Sequence, residues 1–131
     1  MDFLIDTNII SEIMKREPDP RVVKWFRTLE TVATSAICLE ELTFGLRRRA
    51  LYHKEAWLRR MLSDRGTVYP VTDSAARWSG EKRAQLQNSG RTTTQADALI
   101  AGCAWEHALV LATRNTGDFT GFGIAVYNPF E

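Results

Sequence analysis

Short apolar segments alternate with longer segments of helical periodicity along the whole chain, and this alternation limits the possible folds more than any other feature. Strand-like segments lie at residues 3–5, 31–34, 67–71, 109–112 and 124–127. The segments between them repeat apolar residues at helical spacing. Strands that alternate with helices indicate a parallel sheet covered by helices on both faces. We therefore predict an α/β protein with a central, mostly parallel sheet.

Length and composition are typical of one soluble domain. The chain has 131 residues, of which 44% are hydrophobic and 25% are charged, so we predict a single domain over residues 1–131. No apolar run is long enough to cross a bilayer, and the first residues do not resemble a signal peptide, so we expect a cytoplasmic protein without a membrane contact. Cys38 and Cys103 lie in apolar helical patterns, which predicts two buried, unpaired thiols.

Asp6 directly follows the first predicted strand. Ligands of open α/β sheets bind beyond the carboxyl ends of the strands, which is where this carboxylate is expected to lie. Asn8 and then a helical apolar pattern come next in the sequence. Aspartate and asparagine are also common helix N-caps, so a capping role is an alternative for either residue.

Glu41 lies on an apolar helix face, which is unusual for an acid. At about 100° per residue it falls on the same arc as Ile37 and Gly45, whereas its neighbour Glu40 points to the other side. We therefore interpret Glu40 as a solvated residue and Glu41 as an inward-directed carboxylate. A buried carboxylate requires a cation, a hydrogen-bond donor or a proton.

Asp97 has the same unusual position in a later predicted helix. It precedes Ile100 and Ala101 by three and four positions, and Trp105 lies further along the same stripe. The alternative is a capping box that starts at Thr94, in which the acid reaches back to the cap.

Asp118 follows the predicted strand at residues 109–112 through a loop that contains glycine. By itself it is typical of a turn. Together with the other three acids it forms a set from four separate segments, and crowded carboxylates repel one another unless a divalent cation lies among them. Oxygen-only ligands favour Mg²⁺ or Mn²⁺ over zinc. The set consists of Asp6, Glu41, Asp97 and Asp118.

In these same segments the chain resembles the PIN domain, and specifically the toxins of the VapC and FitB type. The matching pieces occur in the family order and span nearly the whole chain. The resemblance implies a three-layer α/β/α sandwich with a central, mostly parallel sheet. It is carried by Leu4–Asn8 with Ser11–Glu12, by Ser35–Ile37 with Glu41–Leu42 and Gly45, by Ala96–Ala101, and by Leu111–Phe119.

The resemblance also implies a function, a cofactor and partners. The function is that of a ribonuclease dependent on Mg²⁺ or Mn²⁺, the toxic component of a type II toxin–antitoxin system. The implied partners are an RNA substrate, a VapB-like antitoxin, a second copy of the chain, and promoter DNA only through the antitoxin complex. As catalytic residues and metal ligands it implies Asp6, Glu41, Asp97 and Asp118, and as residues that line the site Thr7, Asn8, Thr113 and Asn115.

Two arginines are candidates for RNA phosphate contacts. Arg91 and Arg114 each lie close in sequence to an acid-bearing segment, although charged residues are commonly only a solvated surface. A non-catalytic module whose acidic pocket receives an arginine from a partner peptide would use the same acids. A metal-dependent phosphatase is disfavoured, because Asn8 stands two positions after Asp6 where such enzymes carry a second aspartate.

Overall fold

The computed structural model describes residues 2–131, which contain a five-stranded sheet with β1 at its centre. Every pair of neighbouring strands is parallel, and the order is β3-β2-β1-β4-β5. The predicted α/β fold with a parallel sheet is confirmed. The strands are β1 (Phe3–Ile5), β2 (Val32–Ser35), β3 (Gly66–Tyr69), β4 (Val110–Ala112) and β5 (Val126–Tyr127).

Helices connect the strands and cover both faces of the sheet, as the sandwich prediction requires. None of the helices described in residues 2–131 has the length and hydropathy to span a membrane. A short 3₁₀ helix, Thr116–Phe119, follows β4. The α-helices are α1 (Thr7–Ile13), α2 (Pro20–Phe26), α3 (Ala36–Arg48), α4 (Tyr52–Arg65), α5 (Asp73–Asn88) and α6 (Gln95–Glu106).

Helix α4 continues to Arg65 and passes directly into β3 at Gly66, one residue before the predicted strand at residues 67–71. The Gly66 N–H still donates to the carbonyl of Leu62. A Cβ at position 66 would lie 2.5 Å from the Leu62 Cα. The helix-to-strand turn is therefore so tight that only glycine fits.

Alternation along β1 sends its side chains into two separate cores. Leu4 packs with Leu111 and with the apolar residues of α6 on one face of the sheet. Ile5 packs with Ile9 and with residues of α2, α3 and α4 on the other face. Leu4 and Ile5 are both fully buried, so β1 is covered on both faces, as expected for the central strand of a parallel sheet.

Trp105 departs from its predicted place on the buried stripe of α6. Its side chain is 42% exposed, and its ring stacks on that of Trp78 at 5.1 Å between centroids. Eight residues at about 100° each leave Trp105 roughly 80° away from Asp97 around the helix. The apolar face of α6 therefore ends before this residue.

Candidate active site

Asp6 is the acid at the centre of the site, and it is only 6% exposed. One carboxylate oxygen, Oδ1, accepts from the Thr7 backbone N–H at 2.8 Å, so Asp6 is the N-cap of α1. The other, Oδ2, accepts from the Thr113 hydroxyl at 2.8 Å and from the Asn8 side-chain amide at 3.3 Å. Asp6 therefore caps α1 and also faces the site beyond the strand ends, two roles that are alternatives from the sequence alone.

Thr113 connects the carboxyl end of β4 to that of β1. Its buried hydroxyl donates to Asp6 and accepts from the Asn8 amide at 3.3 Å and from the Asn115 N–H at 3.1 Å. The Asn8 side-chain oxygen in turn accepts from the Arg114 N–H at 3.1 Å. Because both sides of the network are held by backbone groups, the orientation of the Asp6 carboxylate is set before any ligand binds.

Glu41 reaches the same site from α3. Its Oε1 accepts from the Thr7 hydroxyl at 2.7 Å, and the side chain is half-buried. Cys38 precedes it by three residues on α3, and the Cys38 Sγ lies 3.7 Å from Asp6 Oδ1. One ligand atom each from Asp6, Cys38 and Glu41 lie within 4.8 Å of one another. The apolar pattern around Cys38 predicts only a buried residue; its i, i+3 spacing from Glu41 is the signal in the sequence that places both on one helix face.

Asp97 lies in the first turn of α6, where the Thr94 hydroxyl accepts from its backbone N–H at 3.0 Å. It lines the same surface cleft as Asp6 and Glu41, with a volume of about 470 Å³. Asp97 also lines a neighbouring cleft of about 240 Å³ with Asp118, an exposed residue of the 3₁₀ helix. Three of the four predicted acids thus share one cleft, and Asp118 lies beyond Asp97 in the next.

Burial perturbs the pKa of Asp6, and both burial and the neighbouring acids perturb that of Asp97. Burial raises the pKa of Asp6, although hydrogen bonds from Thr113 and its neighbours partly offset this effect. Burial also raises the pKa of Asp97, and the charges of Asp6, Asp118 and Glu41 raise it further. Desolvated carboxylates that repel one another form an oxygen-rich donor set, which fits a hard divalent cation.

The raised pKa of Asp97 predicts how metal-free stability depends on pH. The folded chain keeps this proton at a pH where the unfolded chain has released it, so stability falls as pH rises from 3.8 through the raised pKa. In Asp97→Asn, the part of the pH-dependent loss of stability that comes from Asp97 should disappear. This variant should therefore be more stable than the wild type at neutral pH. Thermal unfolding in chelator at several pH values across this range measures the stability of both proteins. The same dependence of stability on pH in the two proteins would contradict the prediction.

Basic side chains border both clefts. Arg114 is exposed, holds its guanidinium 4.5 Å from the Phe130 ring centroid, and lines the acidic cleft. Lys15 lines the same cleft and pairs with Glu12 at 2.8 Å; no motif in the sequence singles it out. Arg91 lines the neighbouring cleft with Asp97. Arg91 therefore shares a cleft with Asp97, its neighbour in sequence, whereas Arg114 shares a cleft with Asp6 and Glu41 and not with Asp118.

Comparison with known proteins identifies the family. The PIN domain model matches residues 3–122. The chain is 35% identical to the VapC ribonuclease Y4jK of Sinorhizobium fredii over 98% of this chain and 97% of that protein. It is 33% identical to the toxin FitB of Neisseria gonorrhoeae over 98% of each.

A solved structure supports the same relationship. The structure of VapBC2 from Rickettsia felis, bound to a DNA fragment from their promoter, contains a chain with a TM-score of 0.85 and 26% identity. The match covers 98% of both chains. With its five-stranded parallel sheet and its acids beyond the carboxyl ends of the strands, this chain therefore belongs to the PIN-domain family, among relatives of the VapC and FitB type.

Proposed function

We propose that this protein is an Mg²⁺-dependent endoribonuclease and the toxin of a type II toxin–antitoxin pair. The observation that carries the proposal is the shared cleft of Asp6, Glu41 and Asp97 in a chain whose relatives are named as a ribonuclease and a toxin. Phosphodiester hydrolysis near neutral pH is chemistry for which oxygen-ligated divalent cations are suited.

The three carboxylates that share the cleft would hold Mg²⁺ or Mn²⁺, and Asp118 would add negative charge from the neighbouring cleft. The cation would supply the positive charge that makes water nucleophilic and stabilises charge on the phosphate and leaving group. Thr7 orients Glu41 through its hydroxyl, and Thr113 orients Asp6. These hydrogen bonds hold the carboxylates in place and reduce the reorganisation that cation binding requires.

Thr113→Val is expected to reduce RNA cleavage by about 10- to 100-fold at limiting Mg²⁺, the usual cost of losing a residue that orients a metal ligand. The substitution keeps the side-chain shape but removes the donor to Asp6 Oδ2. Activity against Mg²⁺ concentration measures the effect, which should shrink at high Mg²⁺. Thr113→Ser keeps the donor and should behave like the wild type; equal loss in both variants would contradict this role.

Arg91 and Arg114 would contact RNA phosphates on either side of the acids. Replacing either arginine by alanine should weaken RNA binding and reduce the slope of log affinity against log salt by roughly 0.7 for each lost contact. Binding of a single-stranded RNA at several salt concentrations measures the slope. Arg60→Ala removes an exposed arginine of α4 and is the control; a similar loss of slope there would show only an effect of net charge.

The proposed partner is a small VapB-like antitoxin that occupies the acidic cleft, and the toxin is proposed to form a homodimer. The Rickettsia relative is described with DNA from its promoter, and here promoter binding would require the antitoxin. Two basic residues, Lys15 and Arg114, and four acids line the cleft, so an arginine of the antitoxin is a suitable inhibitory group. The alternative, a non-catalytic module, would bind such a peptide but would not cleave RNA.

The decisive experiment is incubation of total RNA with the purified chain in Mg²⁺, then in chelator, with mapping of the product ends. We expect cleavage at defined positions that stops on chelation and returns when Mg²⁺ is restored. Cleavage that is unaffected by chelation would contradict metal dependence. No cleavage of any RNA class, together with tight binding of an arginine-bearing peptide, would favour the non-catalytic alternative.

A further inference from the structure

One buried thiol lies among the carboxylates of the proposed metal site. Cys38 is fully buried, and its Sγ faces Asp6 Oδ1 at 3.7 Å. Asp6, Cys38 and Glu41 place their ligand atoms within 4.8 Å of one another. The second cysteine, Cys103, is buried in the same apolar core as Cys38 but is not part of this group of donors.

This mixture of donors has a different metal preference from oxygen ligands alone. Mg²⁺ takes oxygen ligands, whereas Zn²⁺ and Cd²⁺ bind thiolate sulfur strongly. A tetrahedral Zn²⁺ with bonds of about 2.3 Å to sulfur and about 2.0 Å to oxygen separates those two atoms by about 3.5 Å. The Cys38 Sγ and Asp6 Oδ1 are 3.7 Å apart, so their separation already matches that of two ligands of one such ion.

We propose that Asp6, Cys38 and Glu41 form a binding site for a thiophilic divalent cation such as Zn²⁺, which excludes Mg²⁺ and inhibits the enzyme. The inference rests on the proposed function, because it concerns the same carboxylates. On binding, the S–H bond of Cys38 breaks, its proton passes to solvent, and a sulfur–metal bond forms. Asp97 is outside this group. The bound ion would therefore occupy Asp6 and Glu41, which would then be unable to bind Mg²⁺ together with Asp97.

Titration of the purified chain with Cd²⁺ tests the site without any activity measurement. We expect a thiolate-to-cadmium charge-transfer absorption that saturates at one ion per chain in the wild type and in Cys103→Ser, and that is absent in Cys38→Ser. No absorption in the wild type, or absorption lost in Cys103→Ser but kept in Cys38→Ser, would overturn the proposal.

A second measurement requires no substitution, which matters because Cys38 is buried. X-ray absorption of the wild-type chain loaded with one Zn²⁺ should show a sulfur neighbour at about 2.3 Å. A zinc environment of oxygen and nitrogen neighbours alone would overturn the proposal, since it would place the ion elsewhere on the chain.

The inhibition arm compares each protein with its own activity in Mg²⁺ alone. The Zn²⁺ concentration that halves cleavage should be at least about tenfold higher for Cys38→Ser than for the wild type or Cys103→Ser, since loss of a direct ligand costs no less than loss of a residue that orients one. Equal inhibition of all three proteins would overturn the proposal. A chain that shows the cadmium absorption but cleaves no RNA would instead refute the proposed function.

Discussion

Asp6→Asn is expected to lower Mg²⁺-dependent RNA cleavage by about a thousandfold or more, which corresponds to roughly 4 kcal/mol of transition-state stabilisation. Asp6 is the most buried of the four acids, and donors from Thr7, Asn8 and Thr113 hold its carboxylate in place. Loss of its charge would remove the central anionic ligand of the proposed Mg²⁺ site.

The fold of this variant should survive, because asparagine caps a helix about as well as aspartate. Burial already disfavours the charged form of Asp6, as its raised pKa shows, but asparagine keeps only one acceptor oxygen for the donors that the two carboxylate oxygens serve, so metal-free stability should fall by about 1–3 kcal/mol at most. Cleavage rates and thermal unfolding in chelator measure the two expectations. Asp2→Asn, an exposed acid just before β1, is the matched control, and full activity of Asp6→Asn would refute the assignment.

Gly102→Ala is expected to lower the free energy of unfolding by about 3 kcal/mol, through overpacking and the loss of a buried hydrogen bond. A Cβ at position 102 of α6 would lie 2.1 Å from Ser79 Oγ and 2.9 Å from the Ala75 carbonyl oxygen of α5. Ser79 Oγ donates to the Ala98 carbonyl at 2.7 Å. The added methyl group would force this hydroxyl away and separate the two helices.

Gly102→Ala should also affect the active site, because the displaced helix α6 carries Asp97. Denaturant unfolding gives the stability change, and cleavage at a temperature where both proteins are folded reports any shift of Asp97. Gly80→Ala on α5 is the matched control: nothing lies within 4 Å of its added Cβ, so it should gain about 0.5–1 kcal/mol from helix propensity. Similar stability changes in the two variants would contradict the packing argument.

The α/β class and the parallel sheet follow from local patterns, because strand and helix periods differ and parallel strands require crossover helices. The order of the strands does not follow from them. β1 pairs with β4, more than a hundred residues later in the chain, and this pairing puts Leu4 and Ile5 at the centre of the sheet, where helices from distant segments cover both faces. The direct passage from α4 into β3 depended on the close approach of Gly66 to Leu62, which apolar periodicity does not encode.

In the active site too, the sequence identifies some features and only the tertiary structure reveals others. The sequence alone selected Asp6, Glu41 and Asp97, because acids on apolar helix faces or directly after a strand are unusual, and its resemblance to a family selected Thr113. Only the tertiary structure placed Asp118 beyond Asp97 in a neighbouring cleft and brought the Cys38 thiol against Asp6. The physical reason is that periodicity assigns a side chain to a face of its own element, whereas distances between residues of different elements depend on how those elements pack.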